Sequence, residues 1–309
     1  MELHAAALLA ALLLDAALGE PDALWSRLPH PAVLMGRAVA FCERRFNTGT
    51  HRRARGVAVM AGLCAGAWAI GTAIADLPLI GWALEIALGA VLLAQKSLVD
   101  HVRDVARGLR ASPEEGRRMV ARIVGRDTAS MDEPAISRAA IESAAENFSD
   151  GVVAPALFFL LAGLPGILLY KIVNTADSMI GYRTPALEEF GFFAARLDDV
   201  LNWFPSRLSA LVLSAGFRRG PDMAALRRDA GLHRSPNAGW PEAAMAQGLG
   251  VALSGPRSYD GRMRDFPFVW PRGARSPGPA EIDRAADALW RGWKVLAAAV
   301  LLLAVPALF

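Results

Sequence analysis

Apolar runs near the length of a bilayer crossing alternate along this chain with stretches that read as amphipathic or polar helices. That alternation predicts an all-α, polytopic helical membrane protein with cytoplasmic helices and loops. Residues 57–75 give 19 positions without a formal charge, about what a helix needs to span the hydrocarbon core. After the turn Asp76-Leu77-Pro78, residues 79–94 carry one acid, Glu85, in a run of 16, and the two runs together predict a membrane hairpin. Two further spans are expected at residues 3–18, with Asp15 inside, and at residues 295–309, where Trp290 and Trp293 precede the run as interfacial anchors. The whole chain is read as one integral-membrane domain, with a short apolar segment at 208–217 and a polar region at 218–291.

Between the spans the period changes. Leu98, Val102, Val105 and Leu109 form a stripe at i, i+4, i+7 and i+11 with Arg103, Asp104 and Arg107 on other faces, so this helix lies against protein or the interface. The next has punctuation at both ends: Ser112 as N-cap, Pro113 at the first position, Glu115 completing a capping box and Gly125 beyond the end. A third is expected to begin near Asp132 and Pro134. Residues 254–279, rich in Gly and Pro, are expected as loop.

The chemistry concentrates in residues 141–183. Glu142, Glu146 and Asp150 recur at i, i+4 and i+8 with Asn147 beside them, and on a helix they drift only about 40° per step. Three acids sharing a face repel one another, and a divalent cation or a cationic substrate group would relieve that cost. Beyond an apolar run, Asn174, Asp177, Ser178 and Gly181 fall on one face at i, i+3, i+4 and i+7. The run between them, residues 152–173, is broken by Gly163-Leu164-Pro165-Gly166 into parts of 11 and 7 residues, each too short to cross alone. A broken or re-entrant helical hairpin is therefore expected, returning Asn174 and Asp177 to the side that holds Glu142 and Asp150. A straight crossing would separate the two faces by about 30 Å. The blander reading of the acids is a solvated face with an ion pair from Arg138 to Glu142 at i, i+4.

Composition sharpens this picture. The chain has 309 residues, 54% of them hydrophobic, and a mean hydropathy of +0.30, more apolar than a soluble domain of this size. The net charge of +3 fits the positive-inside bias better than nucleic-acid binding, since Arg44, Arg45, Arg52, Arg53 and Arg55 cluster in one inter-span loop and more bases follow at 96–126. No basic segment precedes the first apolar run, as a cleaved signal would require. Cys42 and Cys64 form neither a C-x-x-C pair nor a metal-ligand spacing. Phosphate loops, dinucleotide turns and H-E-x-x-H pairs are absent from the sequence.

Further polar positions follow the central block. Arg183 and Arg196 suit bidentate recognition of phosphate or carboxylate, with a surface or lipid-facing arginine as the alternative, and Arg207 and Arg234 follow along the chain. Asp199, Asn202, His233 and Asn237 accompany them, the last two in a turn-rich segment where positioned side chains serve binding. Acids in or beside apolar runs, namely Asp15, Asp76 and Glu85, support a competing reading, an ion path and hence a transporter.

The blocks LLLDAALGEP and LPHPAVLMGR, then GRDTASMDEPAISRAAIESAAENFSDGVVAPALFF, YKIVNTADSMIGYR, ARLDDVLNWFPSRL and HRSPNAGWPEAAMAQGLGVALSGPRSY, taken in order, resemble the CbiB/CobD family of adenosylcobinamide-phosphate synthases. The likeness covers residues 8–260. It departs from the family's commoner text at Gly19 to Pro21, where Glu20 stands in place of an aspartate. The resemblance implies a ligase of cobalamin (vitamin B12) biosynthesis that joins adenosylcobyric acid to (R)-1-amino-2-propanol or its O-phosphate through an amide bond, consuming ATP with Mg2+. On that basis Glu142, Glu146, Asp150 and Asp177 are the catalytic candidates, with Glu146, Asp150 and Asp177 as metal ligands. Asn147, Asn174, Ser178, Asn202, Asp199, His233, Asn237 and the four arginines 183, 196, 207 and 234 are candidates for substrate binding. A multi-pass location in the bacterial cytoplasmic membrane follows, with the site facing the cytoplasm, the bilayer and other late cobalamin-pathway enzymes as partners, and no nucleic acid. A non-catalytic regulatory relative is the remaining alternative, because fold likeness does not guarantee activity.

Overall fold

The structure is a computed structural model that describes residues 2–217, 220–259 and 262–308. Its helices are α1 (Glu2–Leu18), α2 (Asp22–Trp25), α3 (Pro31–Phe46), α4 (Arg52–Ala75), α5 (Gly81–Leu92), α6 (Gln95–Ala111), α7 (Pro113–Val120), α8 (Glu133–Phe148), α9 (Ala154–Ile180), α10 (Phe192–Leu201), α11 (Trp203–Ala215), α12 (Met223–Ala230), α13 (Gly239–Leu249) and α14 (Pro279–Leu308). A π turn, Ser149–Val153, joins α8 to α9. Four helical stretches are long and apolar enough to cross a membrane: Arg52–Ala75, Gly81–Ala111, Glu133–Ile180 and Pro279–Pro306. The protein is an all-α polytopic membrane protein. Its backbone needs this, because only helices and closed barrels satisfy every peptide group in hydrocarbon.

The chain divides into two compact units. The first comprises Met1–Ala94, Ala154–Trp203 and Ala299–Phe309, the second Gln95–Val153 and Phe204–Ala298.

In the first unit α9 is the centre, with α1, α3, α4, α5 and α10 against it. Val39, Met60, Ile172, Val173, Ala176, Ile180, Phe190 and Ala194 form one buried cluster. The backbone of α9 breaks at Ala162 (φ −145°, ψ 18°) and Gly163 (φ 61°, ψ −147°). Its two arms then fold back on one another, for the Phe158 and Tyr170 rings stack with centroids 5.1 Å apart, where a continuous helix would separate them by about 18 Å. Pro165 sits in the first turn of the second arm, where its missing N–H costs nothing. Glu85, buried on α5, accepts a hydrogen bond from the Leu164 N–H at 2.8 Å. It therefore caps the start of that arm, where exposed N–H groups and the helix dipole favour an anion.

In the second unit α8 lies buried among α6, α7 and α13. Val99, Val102, Val105, Ala106 and Leu109 form the buried stripe of α6, the valines and the leucine each worth about 1.5–3 kcal/mol where the alternative is water. Ser112 caps α7 by accepting from the Glu115 N–H, but the reciprocal half of the capping box is not made. The Ser112 N–H bonds to Gly108 and the Glu115 side chain turns to Arg118. Asp132 caps α8 with Pro134 in its first turn. The segment expected as loop forms two short antiparallel ribbons instead: β1 (Leu253–Ser254), β2 (Arg257–Tyr259), β3 (Arg262–Arg264) and β4 (Phe268–Val269), with β1 on β4 and β2 on β3. Ribbons this short gave no periodic signal above their Gly and Pro content.

Candidate functional site

The strongest polar constellation lies in the second unit, on α8. Glu142 is 3% exposed and its carboxylate is saturated. Oε2 accepts from Arg126 at 2.7 Å and from Arg257 at 3.0 Å, and Oε1 accepts from the Ser254 backbone N–H at 2.7 Å. Arg257 also donates to Ser254 Oγ at 2.8 Å, and Ser143 Oγ donates to the Ile123 carbonyl at 2.7 Å. These bonds fix the loop before α8 and the β1–β2 turn to one helix face. The two guanidiniums are thereby held against the buried carboxylate, with one net positive charge among the three groups.

Two small cavities flank this ion triad, each about 240 Å³, and both are lined by Arg126, Glu142 and Arg257. The first adds Asp127, Asp132, Arg138, Ser254 and Ser258. The second adds Ser143, Glu146, Asn147, His233, Arg234 and Glu242. A chamber of this size falls just below the range that holds drug-sized ligands and suits a small metabolite. Its mixed lining of acids and guanidiniums matches a molecule carrying both signs of charge.

Glu242, on α13, is 2% exposed. Burial pushes its carboxyl well above the usual carboxylate range, repulsion from Glu142 and Glu146 adds to this, and Arg257 and Arg126 pull back only in part. His233 Nε2 lies 3.6 Å from Glu242 Oε1. Burial and then Arg257 hold the His233 imidazole below its ordinary value, so it is neutral near pH 7. Its Nδ1 accepts from the Ser235 N–H at 3.0 Å, which leaves the remaining proton on Nε2, facing Glu242. These shifts have opposite linkage signs. The native state binds the Glu242 proton more tightly than the unfolded chain, so stability from this group is complete below the unfolded pKa and lost as pH rises through the native one. His233 contributes the reverse, with stability lost as pH falls below its unfolded value. Glu242→Gln removes only the first contribution. Its thermal unfolding temperature relative to the unsubstituted protein is expected to be higher at about pH 8 than at about pH 5, and a pH-independent difference would show that Glu242 is not protonated in the fold.

The first unit carries a second polar cluster. Asn174 Nδ2 donates to Asp198 Oδ1 at 3.3 Å, and Tyr170 Oη donates to Asn202 Oδ1 at 3.0 Å. Burial pushes the Asp198 carboxyl up, against the pull of the Asn202 and Asn174 amides.

The model of the family described as CobD/Cbib protein matches residues 8–289. The chain is 50% identical to the cobalamin biosynthesis protein CobD of Rhizobium meliloti (strain 1021), over 97% of each chain. It is 47% identical to the CobD of Sinorhizobium fredii (strain NBRC 101917 / NGR234), covering 97% of this chain and 96% of the relative. For the CobD of Brucella suis biovar 1 (strain 1330) the identity is 45%, over 100% and 99%. The chain belongs to the CobD/CbiB family. No solved structure matches it with significance.

In this CobD/CbiB-family protein the candidate residues divide between the units. Glu142, Glu146, Asn147, Asp150, Arg207, His233, Arg234 and Asn237 lie in the second; Asn174, Asp177, Ser178, Arg183, Arg196, Asp199 and Asn202 lie in the first. Glu146, Asn147, His233 and Arg234 line the second chamber together with Glu142. Arg207 and Asn237 stand apart from it, with Arg207 donating to Asn237 Oδ1 at 3.4 Å and lying over the Trp240 ring. Ser178 and Arg183 are exposed and Asp177 is half-buried.

Three expectations need correction. Glu142 is not an acid short of partners, because Arg126 and Arg257 neutralise it; Arg138, its expected i, i+4 partner, donates instead to the Arg275 carbonyl. Asp150 does not continue the face of Glu146 as a regular helix would, for it stands in the π turn, where i→i+5 hydrogen bonds shift the helical phase. Among the described residues no three His, Cys, Asp or Glu side chains gather to hold a metal ion, so Glu146, Asp150 and Asp177 do not form a ready-made metal centre. Sequence reasoning missed Arg126, Arg257, Glu242 and Asp198. Arg126 and Glu242 come close to Glu142 only through folding, and Asp198 differs from the chosen Asp199 by one position, about 100° around a helix.

Proposed function

We propose that this chain acts in cobalamin biosynthesis, as its relatives' names state of them, and that it is the membrane ligase joining the free carboxylate of adenosylcobyric acid to (R)-1-amino-2-propanol or its O-phosphate. The observation that carries this reading is the second chamber, where the carboxyl groups of Glu146 and Glu242 face an ammonium while Arg126, Arg234 and Arg257 offer guanidiniums to a phosphate. The chamber is too small for a corrinoid, so it takes the amine.

ATP would activate the carboxylate as an acyl phosphate, which gives the amine a good leaving group to displace. The residues present suit Mg2+ that arrives with nucleotide phosphates, since that ion commonly takes only one or two protein carboxylates, and half-buried Asp150 is the proposed donor. When bound, it neutralises phosphate charge. The protein's own groups do the rest: Glu142 orients Arg126 and Arg257, and Arg234 closes the charged lining. A cytoplasmic location for the site, and contacts with other late pathway enzymes, belong to the same proposal. The transporter reading loses one of its supports, because Glu85 caps the second arm of α9.

The test is reconstitution of the purified full-length protein with each substrate omitted in turn. Amide product is expected only when corrinoid acid, ATP and amine are all present. Corrinoid uptake into vesicles without the amine, and without product, would replace the ligase by the transporter. Arg234→Ala is expected to raise KM for the phosphorylated amine about tenfold or more, the worth of one charge-assisted hydrogen bond, and to leave KM for the free amine nearly unchanged. Equal effects on both amines would remove Arg234 from phosphate binding.

A further inference from the structure

Any amine that enters the second chamber near neutral pH arrives as an ammonium, and an ammonium has no lone pair with which to attack. A group in the chamber must take a proton. His233 is badly placed for this, because its Nδ1 already accepts the Ser235 N–H and its Nε2 proton faces Glu242. Glu142 is saturated by two guanidiniums and a backbone N–H. Glu242 differs from both. It lines the chamber, is almost wholly buried, and its Oε2 has no hydrogen-bond partner among the described residues. An unsatisfied buried carboxyl oxygen costs free energy unless a ligand completes it.

Resting on the ligase reading, we infer that Glu242 is the proton acceptor for the incoming ammonium and that His233 is a positioning residue that orients it. The entering ammonium is an opposite charge beside Glu242 and draws it into its carboxylate form, the acid proton passing to water; the ammonium then gives one proton to Oε2 and becomes the free amine. The nitrogen lone pair then forms the N–C bond while the acyl carbon's bond to the phosphate oxygen breaks, and phosphate leaves with that electron pair. The second N–H proton departs with the phosphate, and Glu242 returns its proton to water. The groups facing Glu242 tune this cycle: Glu142 and Glu146 disfavour its ionised form, and Arg257 and Arg126 favour it. An acid placed in such surroundings exchanges protons nearer neutral pH than an exposed carboxylate does, which is where a general base works best.

The experiment is the amide assay on purified full-length protein across pH, with Glu242→Gln and His233→Gln beside the unsubstituted chain. Glu242→Gln is expected to lower kcat by about 10²–10⁴-fold near pH 7 with amine KM changed far less. Much of that loss should be recovered at about pH 10, where the unprotonated fraction of a primary alkyl amine is several hundredfold larger than at about pH 7. His233→Gln should shift the pH profile and lower kcat by less. Should the Gln variant not accumulate, Glu242→Asp, whose acid is withdrawn by one methylene, should show the same alkaline recovery. A deficit that is equal at both pH values overturns the role of Glu242 and leaves the ligase reading intact. An unsubstituted protein that makes no amide from these substrates overturns the reaction, and the proton acceptor with it.

Discussion

Glu142→Gln is expected to destabilise the protein by about 3–5 kcal/mol and to abolish amide formation. The carboxylate is buried and its two partners are mostly shielded, with side-chain exposures of 5% for Glu142, 9% for Arg126 and 13% for Arg257. Glutamine keeps one acceptor oxygen but no charge, and presents an NH2 group to a guanidinium. Two like charges would then stand together, largely out of water, without the carboxylate that offsets their repulsion and desolvation. The loss appears in thermal or chemical unfolding of the purified protein, and an unfolding free energy within about 1 kcal/mol of the unsubstituted chain would contradict the assignment. A companion variant separates stability from function. Glu142→Leu with Arg126→Met and Arg257→Leu removes all three charges together, and apolar replacement of a whole buried ion triad is often neutral or stabilising. That protein should regain its stability but stay inactive, because both chambers lose the guanidiniums that line them.

This pairing also explains why the site was only half legible in the sequence. Local signals worked where the determinant is local. Ser112, Pro113 and Asp132 mark helix starts because a cap acts within three residues, and the broken run at Gly163 is visible because Gly and Pro act on their own backbone. Glu146, Asn147, His233 and Arg234 were reached through residue type and do line one chamber. The partners of Glu142 were not, since Arg257 lies 115 positions away and nothing in its neighbourhood encodes the contact. The i, i+4 rule offered Arg138 instead, and burial overrode it. Glu85 shows the same limit from the other side: an acid in an apolar run signals cost, and only the fold reveals that the Leu164 N–H, 79 positions on, offsets it.

Gly163→Ala is the second substitution expected to act strongly, because it strikes the turn that folds α9 back. Gly163 has φ 61° and ψ −147°, a region that only glycine occupies at low cost, and an L side chain held there is strained by about 1–3 kcal/mol. The added Cβ would also lie 2.2 Å from Glu85 Oε1, so the carboxylate must withdraw from the Leu164 N–H it caps. Leaving that buried donor unpaired costs about a further 1–3 kcal/mol. The variant should accumulate poorly and unfold well below the unsubstituted protein. Glu85→Ala alone should show only the second cost. Combining it with Gly163→Ala relieves the clash but not the backbone strain, so the double variant should be less destabilised than the two single losses added together. Strict additivity would mean that residue 163 and Glu85 do not meet, and an unchanged unfolding temperature for Gly163→Ala would mean that the left-handed turn is not what reverses the run.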